Sequence, residues 1–219
     1  MIAGFPETPT PATRHVAHID LGAGDDYLHL GDTEARTHVR GGSGSDQLVA
    51  ETEDGPFVPV NVHLAGGPGD DSITGDVSLD SDIAFSGGPG ADRADLAIEA
   101  AGTPYGTVRA DLTSGTLTAD GGVSVPLTGL ESLGLADWVD PASLVSAYEI
   151  RGTDGPNTLV FVSRNALPVN LFGLGANDDL SGSGGDDSLD GGPGRDTADG
   201  KEGTNTCTSI EVATDCTPR

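Results

Sequence analysis

Two nine-residue runs stand back to back near the C-terminus: GSGGDDSLD from Gly182 to Asp190, then GGPGRDTAD from Gly191 to Asp199. Each places small residues first, an aspartate sixth (Asp187, Asp196) and an aliphatic or small residue eighth (Leu189, Ala198). Glycines permit a tight loop with its carbonyls turned inward, and the residues after the aspartate fit a very short strand. Carboxylates and carbonyl oxygens of neighbouring loops can then converge on one hard cation. Calcium suits such a site, whereas magnesium demands a tighter octahedron and keeps its waters.

The same unit recurs as GGSGSDQLV (Gly41 to Val49) and GGPGDDSIT (Gly66 to Thr74), and GGPGADRAD (Gly87 to Asp95) keeps the loop with Ala94 at the aliphatic position. Two further runs are incomplete. LGAGDDYLH (Leu21 to His29) lacks only the first glycine, and GLGANDDLS (Gly173 to Ser181) lacks the second and carries Ala176 in place of the fourth-position glycine. Isolated Asp-Gly turns need no metal. Repetition at a fixed offset argues for one.

The pattern GGxGxDxUx, with U aliphatic, resembles the repeats-in-toxin (RTX), or hemolysin-type calcium-binding, family. The resemblance implies an all-β chain wound as a right-handed parallel β-roll or β-helix solenoid. It also implies that the first six residues of each unit wrap an ion lying between successive coils. Carried onto this sequence, the metal-ligand side chains are Asp46, Asp71, Asp92, Asp187 and Asp196, with Asp26 and Asp178 from the incomplete loops. The supporting carbonyls belong to Gly22, Gly24, Gly41, Gly42, Gly44, Gly66, Gly67, Gly69, Gly87, Gly88, Gly90, Gly173, Gly175, Gly182, Gly191, Gly192 and Gly194. Counting neighbouring loop pairs gives about four calcium ions. The resemblance further implies a segment that stays extended where calcium is scarce and folds after export, secreted or at the cell surface.

Composition agrees with this reading. The 219 residues include 34 glycines without the every-third spacing of collagen, and 35 acidic against 10 basic residues give a net charge of −25. Of the acids 26 are Asp and 9 are Glu, a skew that favours turns and compact cation sites over helix surfaces. Such an excess repels nucleic acid and anionic membrane and opposes compaction until it is neutralised. With 35% hydrophobic and 4% aromatic residues the chain can fill a thin solenoid but not one large core. Much of it is therefore expected to be disordered without metal, because binding must assemble distant carboxylates. No stretch has the apolar length of a membrane helix, and Met1 to Pro11 contains no signal-peptide apolar core, so export by another signal or origin as a segment of a longer protein is expected.

The loops starting at Leu21, Gly41, Gly66 and Gly87 are 20, 25 and 21 residues apart. Two nine-residue halves make a coil of about 18, so each interval fits one coil with a small insertion, and Thr52 to Pro59 is the expected insertion. From Gly173 the spacing is strictly nine, which stacks loops 173 and 191 on one side and sets loop 182 opposite, facing the remnant GKEGTN at Gly200. Between the blocks, Val108, Ala110 and Leu112, then Val123, Val125 and Leu127, alternate as half-buried strands. The run GTVRADLTSGTLTADGG with LTGLESLGL resembles the spacer between repeat blocks of the same family. GTDGPNTLVFV from Gly152 reads as a worn repeat with Asn157 near the aspartate position, and Asp140 followed by Pro141 reads as the start of a short helix. The expected organisation is a linker (1–16), a first repeat block (17–96), a calcium-poor β-solenoid spacer (97–172), a second block (173–206) and a C-terminal cap (207–219). Cys207 and Cys216 in that cap are expected to form one local disulfide.

Catalysis is not expected. The chain has no HExxH, no GxSxG and no Cys-His pair with an orienting partner, and Tyr105, Tyr148, Arg109 and Arg151 are scattered single residues. No pair among His15, His18, His29, His38 and His63 has metal-site spacing, so these read as outward strand or linker positions. The functional expectation is a calcium-binding structural or spacer module. The alternatives are a calcium-dependent adhesin or glycan-binding module, with a glycan or surface partner, and a polysaccharide lyase or epimerase on a parallel β-helix. Oligomeric state is left open.

Overall fold

The computed structural model describes residues 16–31, 36–51, 61–79, 81–99, 104–120, 122–138 and 145–218, and among them every regular element is a β-strand. The first repeat region forms β1 (Val16–Ala23), β2 (Tyr27–Leu30), β3 (Arg36–Ser43), β4 (Gln47–Ala50), β5 (Val62–Ala65), β6 (Ser72–Ser78), β7 (Ala84–Ser86) and β8 (Arg93–Glu99). The middle supplies β9 (Gly106–Asp111), β10 (Thr116–Ala119), β11 (Val123–Thr128), β12 (Ser132–Asp137), β13 (Val145–Arg151) and β14 (Thr158–Ser163). The C-terminal region adds β15 (Val169–Phe172), β16 (Asp179–Ser181), β17 (Ser188–Asp190), β18 (Thr197–Asp199), β19 (Thr206–Thr208), β20 (Val212–Thr214) and β21 (Thr217–Pro218).

Successive strands alternate between two sheets, as a solenoid requires. One sheet has nine strands in the order β2-β4-β6-β8-β12-β14-β16-β18-β20 and is parallel throughout. The other has twelve, in the order β1-β3-β5-β7-β11-β10-β9-β13-β15-β17-β19-β21. It is parallel except where β9, β10 and β11 run as an antiparallel meander. Two local turns cause that exception. Gly115 (φ 68°) closes the first, where Asp111 Oδ1 accepts the Ser114 amide at 2.9 Å, and Gly122 (φ 88°) closes the second. The meander then docks β11 on β7 and β9 on β13, so both sheets run unbroken past the stretch that lacks glycine loops.

The core is a pair of side-chain columns. On the nine-stranded sheet Leu48, Ile73, Ala94, Leu133, Leu159, Leu180 and Ala198 fall in register, each at most 4% exposed. These are the eighth positions of successive repeats, which explains the period-two alternation before and after each aspartate. Facing them, Val39, Leu64, Phe85 and Leu127 continue through Ala110, Ile150, Leu171, Leu189 and Cys207. Cys207 thus occupies the aliphatic position of the degenerate Gly200 unit, and it is disulfide-bonded to Cys216 with a Cα–Cα distance of 5.6 Å. The C-terminal tail does not cover the end of the stack. It forms the last coil itself, with β20 and β21 as edge strands and Val212 half exposed.

In the Gly173 loop, which lacks two glycines, the backbone keeps the glycine conformation. Leu174 (φ 82°) and Ala176 (φ 69°) stand at the second and fourth positions of the Gly173 loop in the left-handed region, which costs a residue with a Cβ about 1–2 kcal/mol. Ala176→Gly is expected to raise the stability of the calcium-loaded protein by about 1 kcal/mol, read as an increased melting temperature. All of the expected linker but Val16, the insertion from Thr52 to Pro59, the helix start at Asp140 and Pro141, and His15 lie outside the described residues.

Candidate metal centre

The glycine loops stack directly on one another at the corner between the two sheets. Gly42 and Gly44 adopt φ of 119° and 128°, and a Cβ on either would overlap the carbonyl oxygen of Gly22 or Gly24 in the coil before. Loop amides donate to loop carbonyls of the next coil, as in Gly42 to Gly66 (2.9 Å), Gly44 to Pro68 (3.0 Å), Gly67 to Gly87 (2.8 Å) and Gly69 to Pro89 (3.0 Å). Only glycine permits this approach.

The sixth-position aspartates form a ladder through those loops. The amide of Asp26 donates to Asp46 Oδ1 (2.9 Å), that of Asp46 to Asp71 Oδ1 (2.8 Å), and that of Asp71 to Asp92 Oδ1 (2.8 Å). The ladder continues where the motif is lost, because the Asp92 amide donates to Glu131 Oε2 (2.8 Å). It resumes as Asn157 to Asp178 (2.8 Å), Asp178 to Asp196 (2.8 Å) and Asp196 to Glu211 Oε2 (2.6 Å). On the opposite corner the amides of Val169 and Asp187 donate to Asp187 and Asn205 (both 2.9 Å). A parallel outer ladder at the fifth position uses Asp25, Asp70, Asn177 and Asp186 to hold the amide of the following coil.

Each ladder carboxylate beyond Asp26 spends one oxygen on an amide. The second oxygen, Oδ2, of Asp26, Asp46, Asp71, Asp92, Asp178 and Asp196 is shielded from solvent and has no hydrogen-bond donor. Where the loop begins with glycine, this oxygen lies against that glycine, as at Gly41, Gly66, Gly87, Gly173 and Gly191. A Cβ on Gly41 would meet Asp46 Oδ2 and Gly66 O, and one on Gly173 would meet Asp178 Oδ2 and Gly191 O. A buried carboxylate oxygen without a partner is expensive, and six of them in register are more so. The compartment each one enters is lined by oxygen, which is the donor set of a hard cation. Among the described residues no three His, Cys, Asp or Glu side chains converge, so backbone carbonyls must supply most of the ligands.

Comparison with known families agrees with this geometry. A family profile described as the RTX calcium-binding nonapeptide repeat matches four copies, within residues 61–80 and 172–207. Those stretches of the chain carry RTX calcium-binding repeats. Among curated proteins none matches it. The glycine loops starting at Leu21, Gly41 and Gly87 fall outside the matched residues, yet their aspartates share the ladder with Asp71.

Not every RTX unit offers the same site. Asp187 has both oxygens filled, by the amides of Val169 and of Ser183 (2.7 Å), because Ser183 replaces the second glycine. At Asn205 the amide nitrogen donates to the carbonyls of Lys201, Glu202 and Asp215, each at 3.1 Å. Asn157 likewise donates to Glu131 O at 2.7 Å. These two asparagines put a neutral donor where the other units leave an unpaired carboxylate oxygen. Glu131 and Glu211 escaped the nonapeptide pattern, although the GLESL and SIEV contexts place a glutamate where the next ladder acid is due.

Burial pushes the carboxyls of Asp71 and Asp187 up, and those of Asp92 and Asp178 up to about 6, with the adjacent ladder acids adding to the shift. The metal-free fold therefore holds protons that the unfolded chain, at an ordinary value of 3.8, has released. That stabilisation is complete below the ordinary value and is lost as pH rises through about 6. Chelated protein is accordingly expected to show more β-signal by circular dichroism near pH 5 than near pH 7.5, with the advantage of calcium smallest in acid.

Other residues weighed from the sequence fall elsewhere. Tyr105 and Tyr148 are core residues at 2% and 0% exposure, with Tyr148 donating to Asp137 Oδ1 at 3.1 Å. Arg109 pairs with Asp120, and Arg151 lies over the Phe172 ring. His29 is an exposed residue of β2. His18, His38 and His63 do point outward as read from the sequence, but they are not separate. They stand side by side in one row across β1, β3 and β5. The clue was present in their spacing, since 18, 38 and 63 repeat the intervals of 20 and 25 residues between the first three loops.

Proposed function

We propose that this chain is a calcium-folded structural module of a secreted or surface protein, a spacer whose solenoid closes when calcium enters the loop stack. The observation that carries this reading is the row of Oδ2 atoms on Asp26, Asp46, Asp71, Asp92, Asp178 and Asp196, buried and without donors. Those carboxylates, with the loop carbonyls of Gly22, Gly24, Gly41, Gly42, Gly44, Gly66, Gly67, Gly69, Gly87, Gly88, Gly90, Gly173, Gly175, Gly191, Gly192 and Gly194, are the proposed ligands. The loop pairs 21/41, 41/66, 66/87 and 173/191 correspond to about four ions. Asp187 and Gly182 form the least suited loop, since both Asp187 oxygens are already satisfied.

The chemistry that calcium supplies is charge neutralisation. The residues do the rest: Oδ1 atoms fix the register between coils, glycines let the carbonyls approach, and the eighth-position column buries the apolar face. With a net charge of −25 and stacked acids, the metal-free chain is held open by its own repulsion. Far-UV circular dichroism of chelator-treated protein during calcium and magnesium titrations tests this. A cooperative gain of β-signal with calcium alone is expected, and a spectrum already folded in chelator and unmoved by calcium would sink the reading.

A second reading, glycan binding, has one specific observation behind it. The outer face of the nine-stranded sheet carries exposed Trp138 (45%) and Val162 (55%) beside a shallow groove lined by Gly134, Ala136, Val160 and the Arg93–Asp95 ion pair. Trp138 is the single tryptophan, so its fluorescence during titration with acidic oligosaccharides reports on this face alone. An unchanged signal removes the reading, and appearance of cleaved product in the same samples would make the chain an enzyme.

A further inference from the structure

Six aspartates carry a shielded, unpaired Oδ2, but the glycine loops that follow one another on one corner make only four pairs. Beside Gly41, Asp46 Oδ2 shares its space with Gly66 O, and beside Gly173, Asp178 Oδ2 shares its space with Gly191 O, so these oxygens face the coil after their own. The two oxygens left over belong to Asp92 and Asp196, 1% and 0% exposed, whose next coil has no glycine loop. In both places one short unit stands instead: TGLES from Thr128 to Ser132 and TSIEV from Thr208 to Val212. Gly129 (φ 60°) and Ser209 (φ 52°) are both left-handed, and Leu130 and Ile210 both pack on the core. The carbonyls of Thr128 and Thr208 accept the amides of Gly87 (2.9 Å) and Gly191 (3.1 Å). The amides of Glu131 and Ser132 both donate to Asp92 O (3.0 Å each), and those of Glu211 and Val212 to Asp196 O (3.1 and 3.2 Å). Each glutamate Oε2 then accepts the aspartate amide that the next Oδ1 of the ladder would have taken. A Cβ on Gly87 would meet Gly129 O and Asp92 Oδ2, and one on Gly191 would meet Ser209 O and Asp196 Oδ2.

We propose that these two units are closing turns, each completing one further calcium compartment on the last loop of its stack, with Glu131 and Glu211 as positioning residues. The proposal rests on the calcium reading above. One turn lies between coils and the other on the final coil, so a shared neighbour does not account for their likeness. What they share is a carbonyl delivered to a buried carboxylate oxygen that lacks a partner. Backbone carbonyls, one carboxylate and water make an oxygen shell that calcium accepts, and no grouping of three acidic side chains is needed. Each glutamate acts through its aspartate: it fixes the loop amide and adds negative charge beside the compartment. Gly129 to Glu131 spans three residues where Gly66 to Asp71 spans six, so a closing turn offers fewer carbonyls and its ion binds more weakly than one between full loops. Beyond the first turn the Asn157 amide nitrogen donates to Glu131 O at 2.7 Å, and the run of orphan oxygens stops there.

Equilibrium dialysis of the full chain against calcium counts the ions. Two phases are expected, about four ions at low calcium and about two more at higher calcium. Glu131→Ala with Glu211→Ala should remove the weaker phase, about a third of the bound calcium, and leave the tight phase and the circular dichroism of the loaded protein unchanged. Glu131→Gln with Glu211→Gln keeps an oxygen acceptor for each amide and should retain both weaker ions with affinity lowered about 10–100-fold. Glu131 is half-buried between coils, so if its alanine variant does not fold, Glu211→Ala alone, on the exposed final coil, should remove one of the two. Glu51→Ala, at an exposed glutamate off the ladder, should change nothing. A single phase of about four ions in the unmodified chain, or a weaker phase that survives both alanine exchanges, overturns the closing turns and leaves the calcium reading intact. Equal loss in the glutamine and alanine variants overturns the positioning role. Absence of any calcium binding sinks the calcium reading, and the closing turns with it.

Discussion

Asp71→Asn is expected to shift stability in opposite directions with and without calcium. Asp71 sits in the middle of the first loop stack, 3% exposed, with Oδ1 holding the Asp46 amide and Oδ2 unpaired. Asparagine preserves the Oδ1 acceptor and replaces the orphan oxygen by a donor, as Asn157 and Asn205 already do in their own units. In chelator this removes a buried unpaired oxygen from the folded state, worth about 1–3 kcal/mol, so the variant should show more β-signal than the unmodified protein. In calcium it removes a charged ligand between two loop pairs, and affinity at the affected sites should fall about 10–100-fold. Melting curves in calcium and the far-UV β-signal in chelator check both signs. A variant less stable in both conditions would mean that the ladder is packing alone.

The reverse exchange, Asn205→Asp, should create a site. The Asn205 amide nitrogen is held by three carbonyl oxygens, from Lys201, Glu202 and Asp215, and the residue is 3% exposed. A cation placed among those carbonyls would satisfy them as the amide does, provided that a carboxylate supplies charge. The bond from Cys207 to Cys216 keeps the Asp215 carbonyl in that cage. In calcium the variant should bind one ion more than the unmodified chain, counted by calorimetry. In chelator it should lose about 1–3 kcal/mol, because three carbonyls lose their donor and a buried charge appears. Unchanged stoichiometry would show that the three carbonyls do not make a cation cage.

Much of the site was legible in the linear sequence because a solenoid repeats its contacts. A glycine loop closed by an aspartate at its sixth position needs the same neighbour in every coil, so Asp26, Asp46, Asp71 and Asp92 could be placed in one stack from intervals of 20, 25 and 21 residues. The alternation of Val108, Ala110 and Leu112 likewise declared a strand. What escaped were residues whose role depends on the rung above or below. Glu131 and Glu211 reach the ladder through longer side chains without any glycine loop of their own. Asp187 holds the sixth position of its unit like the other ladder acids, yet Ser183 in its own loop donates the amide that fills its second oxygen.

Sequence by itself determined the class of structure and the chemistry: glycine at loop positions, aspartate at the sixth and an aliphatic residue at the eighth leave a thin oxygen-lined β-solenoid as the economical solution. Periodicity carries that information because each repeat meets only its neighbours. Only the tertiary structure decided direction and partnership. Side chains cannot reveal in one dimension that β9, β10 and β11 turn back on themselves, since parallel and antiparallel strands alternate alike. Nor could spacing alone say that three histidines 20 and 25 residues apart touch, until register placed them on consecutive rungs. Strand pairing converts distance along the chain into adjacency, and adjacency is what ligation and packing require.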